Sequence, residues 1–188
     1  MKNRMSETLV LVGWMVAAAM TRLIPHPANF TPIAAIALFG GAHFRSTRAA
    51  LAVALGAMLL SDAGLELLSG RGFHDQMLWV YGSFAATVWI GSFLRNRRKV
   101  LPVLASSLAA SSLFFLVTNF GVWASSGLYP RNEMGLVNCF VAAIPFFGRT
   151  MAGDLLFAGV LFGGYAWVGA RRFGAFSSTP SSGVSATR

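Results

Sequence analysis

Residues 76–123 read QMLWVYGSFAATVWIGSFL, then RNRRK, then Val100, then LPVLASSLAASSLFFLVTNFGVW. Two long apolar runs, 76–94 and 101–123, flank Arg95, Arg97, Arg98 and Lys99. Each run is close to the roughly 20 apolar residues that a helix needs to cross a hydrocarbon core of about 30 Å. A basic cluster between two such runs is the mark of a cytoplasmic loop. The stretch therefore predicts two helices in a bilayer with their connecting loop inside.

The rest of the chain agrees. It has 188 residues, of which 55% are hydrophobic and only 11% charged. Its mean hydropathy is +0.62. Soluble domains of this size carry about a quarter charged residues. This composition excludes a disordered chain and a coiled coil. A single cysteine, Cys139, excludes a disulfide scaffold. The net charge of +9 does not point to nucleic acid, because the basic residues fall in short tracts between apolar runs. Membrane topology accounts for them better.

Further spans are predicted at 8–24, 31–44, 49–68 and 150–170. The segment 136–147 is too short to cross comfortably. It is expected to form a short re-entrant or interfacial segment that ends at Pro145, before the last helix. Strongly basic linkers alternate with near-neutral ones along the whole chain. The expected fold is thus all-α, an integral membrane bundle of six transmembrane helices with both termini cytoplasmic. Were 136–147 a crossing, Arg171 and Arg172 would fall outside. Residues 1–175 form the single domain. Residues 176–188, rich in Ser, Thr and Gly, are expected to be a disordered cytoplasmic tail. The first apolar run lacks a clear cleavage site and continues into further spans, so it is not expected to be a signal peptide.

This topology gathers the polar residues on the outer side. Asp62, Glu66, Asp75, Glu133 and Asp154 all lie there, and only Glu7 lies inside. Arg22, Arg71, Arg131 and Arg149 join them. Asp62 and Glu66 are one helical turn apart and share a face. Charges inside a membrane are expensive, so they pair or line a wet cavity. Two readings stay open: an Arg–carboxylate clamp that pins helix ends, or an outward-facing pocket. Asn119 and Trp123 share a face of the fifth span, and Tyr81 sits near the outer end of the fourth. Trp123 also suits an interfacial aromatic belt. The crossover Pro25-His26-Pro27-Ala28-Asn29-Phe30-Thr31-Pro32 is stiffened by its prolines. Gly159 and Gly163 form a GxxxG pair, used for packing within the bundle or for docking a membrane partner.

No P-loop, HExxH or CxxC is present. The chain cannot use ATP by itself. No catalytic residue, metal site or cofactor is expected.

The motifs around these residues resemble a known group. They are Arg22-x-x-Pro25-His26-Pro27-x-Asn29-Phe30-Thr31-Pro32, Leu38-Phe39-Gly40-Gly41, Ser61-Asp62, Val80-Tyr81-Gly82-Ser83-Phe84, Thr118-Asn119-Phe120-Gly121-Val122-Trp123, Leu128-Tyr129-Pro130, Ile144-Pro145-Phe146-Phe147 and Gly153-Asp154. In this order they resemble an uncharacterised bacterial family of multi-span membrane proteins, a domain of unknown function. That family is distantly similar to the substrate-binding S components of energy-coupling factor vitamin transporters. The resemblance implies six helices in the bacterial cytoplasmic membrane and an outer ligand site. It also implies a transmembrane coupling subunit and separate ATPases as partners. S components often dock through an Ala-x-x-x-Ala pair on helix one, and Ala17 to Thr21 is the nearest equivalent here.

The expected function is therefore capture of a small organic, vitamin-like nutrient on the outer side. The candidate binding residues are Arg22, His26, Asn29, Asp62, Tyr81, Asn119, Trp123, Arg149 and Asp154. The candidate docking residues are Ala17, Thr21, Gly159 and Gly163. Two rival expectations are a non-catalytic accessory subunit of a larger membrane complex and a small membrane enzyme using Asp62, Glu66 or His26.

Overall fold

A computed structural model describes residues 2–25, 27 and 29–168. His26, Arg171, Arg172 and the tail expected at 176–188 lie outside the described residues. The described chain forms six α-helices and no strand. They are α1 (Lys2–Met20), α2 (Ile33–His43), α3 (Thr47–Ser69), α4 (Met77–Ser92), α5 (Val100–Ser125) and α6, which begins at Glu133. Three helices are long and apolar enough to cross a membrane: α3, α5 and the whole of Glu133–Val168. Helix α2, at 11 residues, is a shorter apolar helix.

The helix ends follow local chemistry. Helix α1 stops at Met20 and tightens into a 3-10 turn, Thr21–Leu23, where the Thr21 hydroxyl donates to the Ala18 carbonyl (2.7 Å). Ser46 caps α3 by accepting the Ala49 amide, and Gly70 ends it in the left-handed conformation at φ 64°, which costs glycine little. Asn132 caps α6 by accepting the Gly135 amide at 2.8 Å.

One expectation is corrected. Segment 136–147 is not a separate re-entrant element. It is the first part of α6, which runs without a break from Glu133 to Val168, 36 residues. Pro145 lies inside the helix. A proline removes one backbone donor; Pro145 is exposed on α6, and the helix continues past it while packing against α5. At 1.5 Å per residue α6 is about 54 Å long, well beyond the roughly 30 Å of a bilayer core. Its lower part also relaxes into a wider π turn at Gly159–Gly163.

The core is apolar, with Met15, Leu38, Phe39, Val88 and Leu161 at its centre. Large apolar side chains also point outward, among them Leu67 (89% exposed), Leu78 (79%) and Trp89 (61%). Buried among the helices are Ser61, Asp62, Ser83, Thr87, Ser107, Ser111 and Asp154. Helix α2 is the axis of the arrangement. Residues 34–42 are all buried, and α1, α3, α4, α5 and α6 all pack on it.

Glycines set the closest approach, between α2 and α4. A Cβ on Gly41 would overlap the Val88 carbonyl, and one on Gly91 would overlap the Leu38 carbonyl. Backbone meets backbone there, the geometry that small residues permit. The two basic linkers meet at this end. Arg95 donates from Nε to the Gly41 carbonyl (3.3 Å) and from an Nη to the Thr47 hydroxyl (2.7 Å).

Gly41→Ala or Gly91→Ala should therefore force α2 and α4 apart, costing about 1–3 kcal/mol or more. Gly159→Ala and Gly163→Ala should not, because a Cβ at either position meets nothing within 4 Å. Melting temperatures of the four variants in one detergent will test this; equal losses in all four would refute the close-approach account.

Candidate functional site

The polar site lies at the other end of α2. Arg22, in the turn after α1, reaches across to α3. Its Nη1 donates to the Ser61 hydroxyl oxygen and to Asp62 Oδ1 at 2.6 Å. Ser61 can accept because its own proton goes to the Met58 carbonyl (2.8 Å). The Tyr81 hydroxyl, from α4, donates to Asp62 Oδ2 at 2.8 Å. Both carboxylate oxygens are thus satisfied, and α1, α3 and α4 are tied at one point. Asp62 is 2% exposed and Arg22 12%. In so dry a place the pair is stable only because each partner neutralises the other.

Glu66, one turn along α3, does not join Asp62. Its Oε2 accepts the amides of Gly72 (2.9 Å) and Phe73 (3.2 Å) and closes the α3–α4 loop.

Asp154 builds a second junction. Its Oδ2 lies 2.6 Å from the Ser111 hydroxyl of α5. The backbone amide of Ala35, in the first turn of α2, lies against its carboxyl group. Pro32 sits at the N-cap of α2 and offers no side-chain cap. Asp154 brings from α6 an oxygen acceptor to the α2 N-terminus, which lacks one of its own. Gly153 makes this possible, since a Cβ there would sit 3.2 Å from the Thr31 amide nitrogen.

Between these junctions lies a cavity of about 350 Å³. Arg22 and, from the crossover, Asn29 and Thr31 line it. Asn29 holds the left-handed conformation at φ 64°, which asparagine tolerates better than most residues. Thr118 and Asn119 come from α5, and Thr150 from α6. Four rings, Phe114, Phe115, Phe146 and Phe147, form the greasy wall. His74 lies exposed at the rim.

The predicted residues divide accordingly. Arg22, Asn29 and Asn119 line the cavity. Asp62 and Tyr81 stand behind Arg22 and hold it. Asp154 is 2% exposed and serves the α2 junction. Trp123 turns away and donates from its indole to the Pro130 carbonyl (3.1 Å). Arg149 is exposed on α6 and outside the cavity lining. Asp62, Tyr81, Trp123, Arg149 and Asp154 thus lie outside the lining of this cavity. Among the candidate docking residues, Ala17, Gly159 and Gly163 are exposed on the outer surface of their helices. Thr21 is half-buried and engaged with Ala18.

One participant escaped the sequence reading: Ser111 lies inside an apolar run without a flanking motif, while Ser61 entered only as part of the Ser61-Asp62 motif. The doublet Phe114-Phe115 was a usable signal, because adjacent residues on a helix point in different directions and the pair widens the aromatic surface.

The chain belongs to a family of unknown function, DUF6580, which matches residues 2–179. No curated protein and no solved structure matches it.

Removing one member of the Arg22–Asp62 pair should cost far more than trimming its edge. Asp62→Ala strands the Arg22 charge and should cost about 3–5 kcal/mol. Tyr81→Phe removes one donor and should cost about 1–3 kcal/mol. The double variant Arg22→Met with Asp62→Leu should recover much of the loss, since a packed apolar pair is often as stable as a buried ion pair. Thermal unfolding in detergent will give the order, and an Asp62→Ala variant as stable as Tyr81→Phe would contradict it.

Proposed function

We propose that the chain is a multi-pass protein of the bacterial cytoplasmic membrane, with six spans and both termini in the cytoplasm. In this reading it is a substrate-binding subunit that captures a small organic nutrient at its outer end. The outward Leu and Trp support the membrane placement, because exposed large apolar side chains together with buried Ser and Asp suit hydrocarbon as solvent. The gathering of Arg45, Arg48 and the Arg95–Lys99 tract into linkers of one side supports the orientation.

The observation that carries the binding role is the cavity of about 350 Å³. Its volume falls at the lower end of the range for small-molecule sites, about 300–1,000 Å³. It combines an aromatic wall with a few polar groups on rigid helices. The chain has no P-loop, so movement of the ligand falls to a separate ATPase and a coupling subunit. The similarity of motifs to energy-coupling factor S components favours the same division of labour. The exposed small residues Ala17, Gly159 and Gly163 offer a surface that a partner helix can approach closely.

One observation favours a second reading, an accessory subunit of a larger membrane complex. Both buried carboxylates are fully engaged by the bundle itself, as a purely structural role requires.

Two experiments test the proposal. With Cys139→Ser as background, Leu128→Cys should react with a membrane-impermeant maleimide on intact cells, and Asn96→Cys should react only after lysis. The opposite pattern would overturn the topology. Purified in detergent, the protein should retain a small molecule detectable by native mass spectrometry. Asn119→Ala should weaken its retention at least tenfold, about 1.4 kcal/mol, with little change in melting temperature. A wild-type protein that comes out empty and tightly held in a large complex would favour the accessory reading.

A further inference from the structure

We infer that the cavity selects an uncharged, planar ring compound that carries both an N–H donor and a carbonyl acceptor, in the manner of a cyclic amide or heteroaromatic carboxamide. This rests on the binding role proposed above.

Charge comes first. Among the described lining residues Arg22 carries the guanidinium, and its charge is already balanced by Asp62 at 2.6 Å. No carboxylate is found among the described lining residues. A cationic ligand would meet a guanidinium and find no counter-ion. An anionic ligand would have to compete with Asp62 for Arg22 in a site where an unpaired charge is costly. A neutral ligand leaves the pair intact.

Hydrogen-bond direction narrows the class. The Thr118 hydroxyl gives its proton to the Phe114 carbonyl (2.7 Å), and the Thr150 hydroxyl gives its proton to the Phe146 carbonyl (3.2 Å). A hydroxyl has one proton. Each of these two lining threonines therefore has only an acceptor oxygen left to offer, which asks the ligand for N–H or O–H groups. Asn119 spends one amide proton on the Phe115 carbonyl (2.7 Å) and keeps a second donor and a carbonyl oxygen. Arg22 and Asn119 supply donors for a ligand carbonyl. The complement of this set is an edge with a donor beside an acceptor.

The rings set the shape. Phe115 and Phe147 lie 4.6 Å apart between centroids and are tilted by 38°. Phe140 meets Phe115 edge-on at 5.6 Å from the far side. The rings are held in place by their neighbours and present flat and edge surfaces that favour a third ring.

Matched probes test the inference on the full-length protein in detergent by isothermal titration: uracil beside orotate, and nicotinamide beside nicotinate and 3-(aminomethyl)pyridine. The expected result is that a neutral member binds at least tenfold more tightly than its charged partners. Thr118→Val and Asn119→Ala should each weaken that binding by fivefold or more without lowering the melting temperature. Tighter binding of orotate, nicotinate or the amine would overturn the ligand class while leaving the pocket as a binding site. A protein that binds no probe and carries no small molecule by native mass spectrometry would overturn the class and the binding role together.

Discussion

Helix α2 imposes the constraint on which the rest of the structure depends. Its 11 residues span about 16 Å, and the bundle surrounds it. Both of its ends therefore stop inside protein. A helix end leaves backbone amides at one side and carbonyls at the other without partners. No capping side chain from its own sequence serves the N-terminus. The remedy comes from neighbours. Asp154 of α6 places its carboxyl group against the Ala35 amide at the start, and Arg95 after α4 donates to the Gly41 carbonyl at the finish. The Arg95 cation at the C-terminus also matches the helix dipole. One short helix thus fixes where α4, α5 and α6 must stand.

That placement explains the glycines. To bring Asp154 within reach of the Ala35 amide, α6 has to lie close against the Phe30-Thr31 backbone, and Gly153 allows it. To let Arg95 reach the Gly41 carbonyl, α4 has to cross α2 closely, and Gly41 with Gly91 allows that. Packing by small residues and satisfaction of buried polar groups are two sides of one arrangement. Neither would be stable alone: close backbones with orphan amides waste hydrogen bonds, and a buried aspartate without donors carries a desolvation cost.

Much of this was legible in the sequence. Apolar runs and basic tracts located the helices, because hydrophobic length and turn chemistry are local properties. The exception was α6. Pro145 and the short run 136–147 argued for a break, and the packing of α6 against α5 is tertiary and left no local signal. The site was legible in composition but not in pairing. Arg22, Asp62, Asn119 and Asp154 stood out as polar residues in greasy surroundings. Nothing in their spacing told that Arg22 would choose Asp62 rather than Asp154, because that choice depends on the turn at Thr21–Leu23 and on which helices flank α1. Asp154 read as a ligand group, yet its partner is a backbone amide that no side-chain pattern reveals.

The clamp and the pocket need not compete. Arg22 belongs to both: its Nη1 is held by Ser61 and Asp62, and the residue also lines the cavity. A long, flexible side chain at the edge of a cavity loses much rotamer entropy when it binds a ligand. Here the ion pair has already fixed it. Under the proposed function, the tie between α1 and α3 therefore also preorganises the cavity wall and would lower the cost of binding. The same reasoning covers Asn119, whose orientation is set by the Phe115 carbonyl before any ligand arrives. Structural satisfaction of buried polar groups and readiness for a ligand are achieved by the same bonds.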